Sequence, residues 1–146
     1  MLVDGRLRQL GAPAELLGSP ADPFVAEFAG ANVLDGIADA GPDGLTRFHL
    51  DAERVVYSTD EARGRAALVV YPWDVSLARV AADDSALNHL RGEIVSLVQV
   101  GNRVRVRLPF LTAEITAASA ERLALRPGEP VVASFKATQA RLLPAD

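Results

Sequence analysis

The side chains able to do chemistry in this sequence are few, and their types and spacing narrow what they can do. His49 and His89 lie far apart, and no acidic cluster stands at metal-ligand spacing beside either. Zinc needs several such ligands converging on one point, so the pattern offers no metal centre. Neither histidine has a nucleophile or an orienting acid assigned by the sequence, so acid–base catalysis has no support. The carboxylates are scattered through turns and surface faces, where solvation is their ordinary role. With no cysteine, disulfides and thiolate ligands are excluded, which fits a reducing compartment. Arg103, Arg105 and Arg107 form a basic row on one strand face. A groove for single-stranded nucleic acid would pair such a row with stacking aromatics. Aromatics are only 5% of the chain, and Tyr71 and Trp73 fall outside this stretch, so the row reads as a solvated or interface-pairing face. A net charge of −4 gives no general attraction to nucleic acid or anionic membrane either.

The elements that position these residues are mostly strands. Arg103-Val104-Arg105-Val106-Arg107-Leu108 alternates polar and apolar with period two, the mark of a strand buried on one face, and Gly101-Asn102 before it suits a tight hairpin. Around it, over 85–143, strands are predicted near 91–100, 103–108, 111–116, 130–137 and 139–143. A short helix at 119–124, capped by Ser119, precedes the turn Arg126-Pro127-Gly128-Glu129. Five short strands with one small helix between the third and fourth suit an OB-like Greek-key barrel.

Upstream, strands are predicted at 33–38, 45–50, 53–57, 66–71 and 75–80. Gly41-Pro42-Asp43-Gly44 is a strong loop between them, and Pro72 interrupts the apolar run that begins at Ala66. The small, acidic stretch 81–86 reads as a connector. The first residues, 2–7, look strand-like with an Asp4-Gly5 turn, and two short helices follow, started by Pro13 and Pro23. Phe24, Val25 and Phe28 share one face of the second, which is too short to bury that face alone. Asn-x-Leu-x-Gly occurs twice, at Asn32–Gly36 and Asn88–Gly92, a faint internal echo. No apolar run approaches the roughly 18 residues of a membrane span, and no signal-peptide pattern opens the chain, which predicts a soluble protein.

Gly5-Arg6-Leu7-Arg8-Gln9-Leu10-Gly11-Ala12-Pro13-Ala14-Glu15-Leu16, followed by Pro20 to Asn32, resembles the segment that ends the nucleotide-binding domain of ABC importer ATPases. The remainder resembles their C-terminal accessory region, the TOBE domain. Residues 85–143 look more narrowly like its molybdate-binding, Mop-type version, with Ile115-Thr116-Ala117-Ala118-Ser119 and Lys136-Ala137 as the nearest matches. The resemblance implies three parts: 1–31, an incomplete, helical tail of the nucleotide-binding domain; 32–84, a first, smaller OB-like β lobe; and 85–146, a Mop-like second lobe.

It also implies a ligand. In Mop-type domains a tetrahedral oxyanion, molybdate or tungstate, is held at subunit interfaces by backbone N–H groups, hydroxyls and a lysine. The donor set makes physical sense, because a dianion leaving bulk water needs convergent donors and partial neutralisation. Position by position the resemblance assigns that role to Ser85, Thr116, Ser119, Lys136 and the Ala137 backbone. Where the family pattern reads Ser-Ala-Arg-Asn, this chain reads Ser85-Ala86-Leu87-Asn88, so an apolar side chain replaces a cationic donor. Tyr71-Pro72-Trp73-Asp74-Val75 likewise stands where related chains carry Arg-Pro-Glu-Asp-Val, and Trp73 reads as packing or interface material.

An ABC ATPase holds its nucleotide with a G-x-x-x-x-G-K-[ST] phosphate loop, and no such spacing occurs here. The expectation is therefore a non-catalytic regulatory and dimerisation region of an ABC transporter ATP-binding subunit, with ATP and Mg²⁺ belonging only to a longer parent. Its partners would be a second copy, through the TOBE region, and in the parent the nucleotide-binding domain and the membrane permease, at the cytoplasmic face of the membrane. No nucleic acid is expected. A free-standing intracellular molybdate-storage protein is the alternative, and residues 1–31, with no use in such a protein, separate the two.

Overall fold

The computed structural model describes residues 2–3, 6–7, 30–81 and 84–144. The helices predicted around Pro13 and Pro23 lie outside the described residues. The opening strand-like piece forms two paired strands, β1 (Leu2–Val3) against β2 (Arg6–Leu7); the turn predicted at Asp4-Gly5 lies outside the described residues.

The fold is mainly β. Strands β3 (Asn32–Ala40), β4 (Thr46–His49), β5 (Val55–Ser58) and β6 (Gly64–Val70) follow in sequence, then β7 (Ser76–Ala78) after a 3₁₀ turn at Pro72–Asp74. Strands β8 (Asn88–Glu93), β9 (Ser96–Val100), β10 (Arg103–Arg107) and β11 (Thr112–Thr116) lead to a helix at Ala117–Leu123. Then come β12 (Pro130–Phe135), another 3₁₀ turn at Ala137–Gln139 and β13 (Arg141–Pro144). All pairings are antiparallel. They build a five-stranded sheet in the order β13-β6-β3-β4-β5 and two three-stranded sheets, β7-β12-β8 and β11-β10-β9. The expected closed barrel over 85–143 is not formed: strands of that stretch fall in three different sheets, and the hydrogen bonding does not close on itself.

Two strands cross between the halves. The last strand, β13, pairs with β6, and β7 pairs with β12. The two arrangements mirror one another: β3-β6-β13 in one sheet has the same layout as β8-β12-β7 in the other. One apolar core serves both, running from Phe48, Val56 and Leu68 through Leu90 and Val106 to Val131 and Phe135.

Local chemistry explains the elements. In β10 the two valines are buried and the three arginines exposed, as the alternation required. The hairpin from β9 to β10 turns on two residues, and the positive φ (63°) falls on Gly101, not Asn102, the type II′ pattern. The predicted strand over 91–100 is two strands, because the chain changes sheets at Ile94-Val95: the Ile94 N–H bonds Glu129 O, and the next N–H bonds Arg107 O. Such corners let one strand serve two layers. Phe48 seals the first half against Gly36, where an added Cβ would come within 2.5 Å of the ring and would also strike the His49 carbonyl.

Candidate functional site

The 3₁₀ turn Ala137–Gln139 and the chain ahead of β8 form the walls of a cavity of about 290 Å³. The extended residue before the turn, Lys136, and Ser85 both line it, so two of the side chains implied for the oxyanion share one space. Gln139 folds back to accept the Lys136 N–H (2.8 Å), which fixes the turn under the lysine. Ala137 is buried and its carbonyl accepts the Thr59 N–H, tying the turn to the first half. Asn88, the register partner of the cavity-lining Phe135, is almost fully buried. Its side chain accepts the Tyr57 N–H (2.7 Å) and donates to Tyr57 O (3.0 Å), joining β8 to β5.

Thr116 and Ser119 are brought together, but not into this cavity. Thr116 caps the helix: its Oγ1 accepts the Ser119 N–H (3.0 Å), and its hydroxyl donates to Ser119 Oγ (2.9 Å). The helix thus begins at Ala117, and the cap is Thr116 instead of Ser119, because a cap must precede the first helical residue in extended conformation, as Thr116 does at φ −72°, ψ 150°. Leu87, in the place of the expected arginine, is half exposed and adds no donor.

Sequence reasoning missed the acidic side of the cavity. Asp74 and Asp84 line it together with Ser76 and Ser134. Asp84 accepts the Ala86 N–H (3.0 Å) and lies 3.6 Å from His89 Nε2, while His89 Nδ1 shares a hydrogen bond with Ser134 Oγ (2.7 Å). Burial pushes the Asp74 carboxyl above the usual carboxylate range. The available signal was topological: Asp74 reaches the cavity because β7 crosses to β12, which no local pattern encodes.

A second corner has the same frame and other chemistry. Asn32 accepts the Thr112 N–H and donates to Thr112 O (both 2.8 Å), as Asn88 does with Tyr57. The Pro72–Asp74 turn stands where Ala137–Gln139 stands in the other half, and the residues before the two turns share a backbone conformation (φ −79°, ψ 140° at Tyr71; φ −81°, ψ 152° at Lys136). Tyr71 therefore occupies the place of Lys136. Its ring stacks on half-exposed Trp73 at 5.2 Å, and burial raises its phenol, with nearby Arg141 opposing.

On the β10 face, Glu114 pairs with Arg103 (2.8 Å) and lies 3.7 Å from Arg105. Arg105 and Arg107 border an open hollow of about 890 Å³ with exposed Val98 and Val100. His49 is held by Asp39 (3.0 Å), which also accepts from Arg47.

The asparagine clamp and the 3₁₀ turn thus occur twice, once in each half. Residues 84–142 match the model of the TOBE domain, and the chain carries that domain. Over 93% of its length it is 31% identical to a molybdate/tungstate import ATP-binding protein of Pyrococcus abyssi. Over 99% it is 32% identical to a sulfate/thiosulfate import ATP-binding protein of Burkholderia mallei. The chain spans about two fifths of these relatives (39% and 40%), which fits their C-terminal TOBE region. Among solved structures, the cytoplasmic molybdate-binding protein ModG, with molybdate bound, superposes with a TM-score of 0.70 at 22% identity, over 77% of this chain and 96% of that one; the likeness establishes the fold. Among the described residues, no helix is long and apolar enough to cross a membrane.

Proposed function

We propose that the chain is the non-catalytic regulatory and dimerisation region of an ABC importer ATP-binding subunit, binding molybdate or a related tetrahedral oxyanion at the Ser85–Lys136 cavity. The observation that carries this reading is the similarity of nearly the whole of this chain to part of import ATP-binding proteins, with the TOBE match on the residues that hold most of the cavity. In it, residues 1–31 end a nucleotide-binding domain, 32–84 form a first lobe and 85–146 a second. Two copies pair through the TOBE region, restrain the attached ATPases at the cytoplasmic face of the membrane, and respond to anion by differential binding. Thr116 and Ser119 would then reach an anion from the neighbouring copy, since within one chain they lie away from Lys136. Titration of molybdate into the protein by calorimetry tests the ligand. Saturable heat below millimolar ligand is expected, and its absence in every condition would end the oxyanion reading. Light scattering on a sizing column tests the dimer.

A free-standing molybdate-storage protein is the second reading. One observation favours it: nearly the whole of the molybdate-binding neighbour is covered by this chain. A membrane permease that co-purifies with the protein from its own cells supports the first reading over this one.

A further inference from the structure

The cavity holds charges that do not answer each other. Lys136 brings one positive charge, and Asp74 and Asp84 bring two negative ones, yet among the described residues no ion pair joins the lysine to either carboxylate. Asp84 is already engaged, by the Ala86 N–H and by His89. Among the described residues nothing meets the Asp74 carboxylate: it is half-buried on the cavity wall without a hydrogen-bond or ion-pair partner. A dianion seated against Lys136 and Ser85 would therefore face an unanswered negative oxygen, and two oxygens that both lack hydrogen repel. One hydrogen between them turns the repulsion into a short, charge-assisted O–H···O⁻ bond.

We propose that this cavity takes a fully ionised tetrahedral oxyanion together with one proton, which sits between a ligand oxygen and the Asp74 carboxylate. The inference rests on the oxyanion reading above and adds its regulation. One dianion and one proton enter, and no group leaves. Ser85, Ser76, Gln139 and Ser134, whose hydroxyl already shares a hydrogen bond with His89, are the remaining neutral hydrogen-bonding side chains on the walls, and Lys136 is the cation. The charged and titratable groups around Asp74 are Lys136 and Asp84 across the cavity, His89 behind Asp84, Tyr71 on its own turn with Arg141 acting on that phenol, and Glu114 on β11, where Arg103 neutralises it. Of these, only Asp74 is both unpaired and half-buried, and its burial already favours the protonated form.

The test is calorimetry on the whole chain with sodium molybdate, and sodium sulfate as a second probe, between about pH 7.5 and 6.5, where both anions are fully ionised. Each titration is run in two buffers of different ionisation heat, which counts protons. Uptake of about one proton per anion is expected, with affinity rising about tenfold per unit fall in pH. Asp74→Asn supplies a neutral N–H donor in place of the proton, so in that variant the uptake falls to zero and affinity at the higher pH rises at least tenfold. Binding by the native chain with no proton uptake and no pH dependence overturns the inference and leaves the oxyanion reading standing. An unchanged proton count in Asp74→Asn also overturns it, since the proton would then reside elsewhere, as on His89. Silence from both proteins at every pH overturns the oxyanion reading itself. The proton count on the native chain stands even where the variant folds poorly.

Discussion

The two halves share a frame and differ in what the frame presents. In each, an Asn-x-Leu-x-Gly strand enters, a long strand pairs beside it, a 3₁₀ turn follows, and the next strand departs to the other half. In each, the asparagine side chain clamps the backbone of one residue across the divide. Yet at the matching corner one half offers Lys136-Ala137 and the other Tyr71-Pro72, backed by Trp73. Backbone geometry was retained where side-chain chemistry diverged. The clamp and the turn are common to both halves, and the residue before the turn is what differs.

The clamps give the sharpest way to break this comparison. Asn88→Ala removes two hydrogen bonds from a nearly inaccessible site and strands the Tyr57 N–H and C=O, so a loss of about 3 kcal/mol is expected from urea unfolding. Asn32→Ala is expected to lose about 2 kcal/mol, because Asn32 and Thr112 keep partial contact with water. Equal losses would mean the clamps are equally buried in solution. The echoed glycines should differ too. At Gly36 an added Cβ meets a backbone carbonyl and the fully buried Phe48 ring, so Gly36→Ala should cost about 2 to 3 kcal/mol. Gly92→Ala should cost about 1, because Phe110 (2.7 Å from that Cβ) can swing toward solvent.

A smaller effect tests a feature present in one half only. Thr116→Ala should cost about 1 kcal/mol, read as a lower thermal midpoint, with Thr116→Ser restoring most of it. The smallest is electrostatic. The hydrogen bond from Arg47 holds the exposed Asp39 carboxyl below its ordinary value, helped by His49. The stabilisation is therefore complete above about pH 4 and lost as pH falls through the lowered value. Asp39→Asn should lower stability slightly at neutral pH, leave it nearly unchanged at pH below the lowered value, and so flatten the acid limb of a stability-against-pH curve.

Much of this frame was legible in the sequence, and for local reasons. The Arg-Val alternation placed β10, Gly101-Asn102 placed its hairpin, and Gly41 to Gly44 placed a turn, because period and turn chemistry are written in adjacent residues. The echo at Asn32 and Asn88 signalled the duplication but not the use of those asparagines, since a clamp across 80 residues leaves no local trace. The barrel failed for the same reason: strands 139–143 and 75–80 were recognised near their observed places, but their partners lie in the opposite half. The family resemblance singled out Ser85 and Lys136, which share the cavity, and equally Thr116 and Ser119, which lie outside it. Asp74 was missed because its part in the cavity exists only once the chain has crossed over.

That crossing has a consequence for how the protein is made. A ribosome releases β3 to β6 well before β13, and β6 keeps one bare edge until Arg141–Pro144, far downstream, emerge to pair with it. Until then the nascent chain carries an apolar strand open to any passing strand, a known opening for misassembly. Closing that edge late leaves the first sheet unfinished until most of the second half has been made.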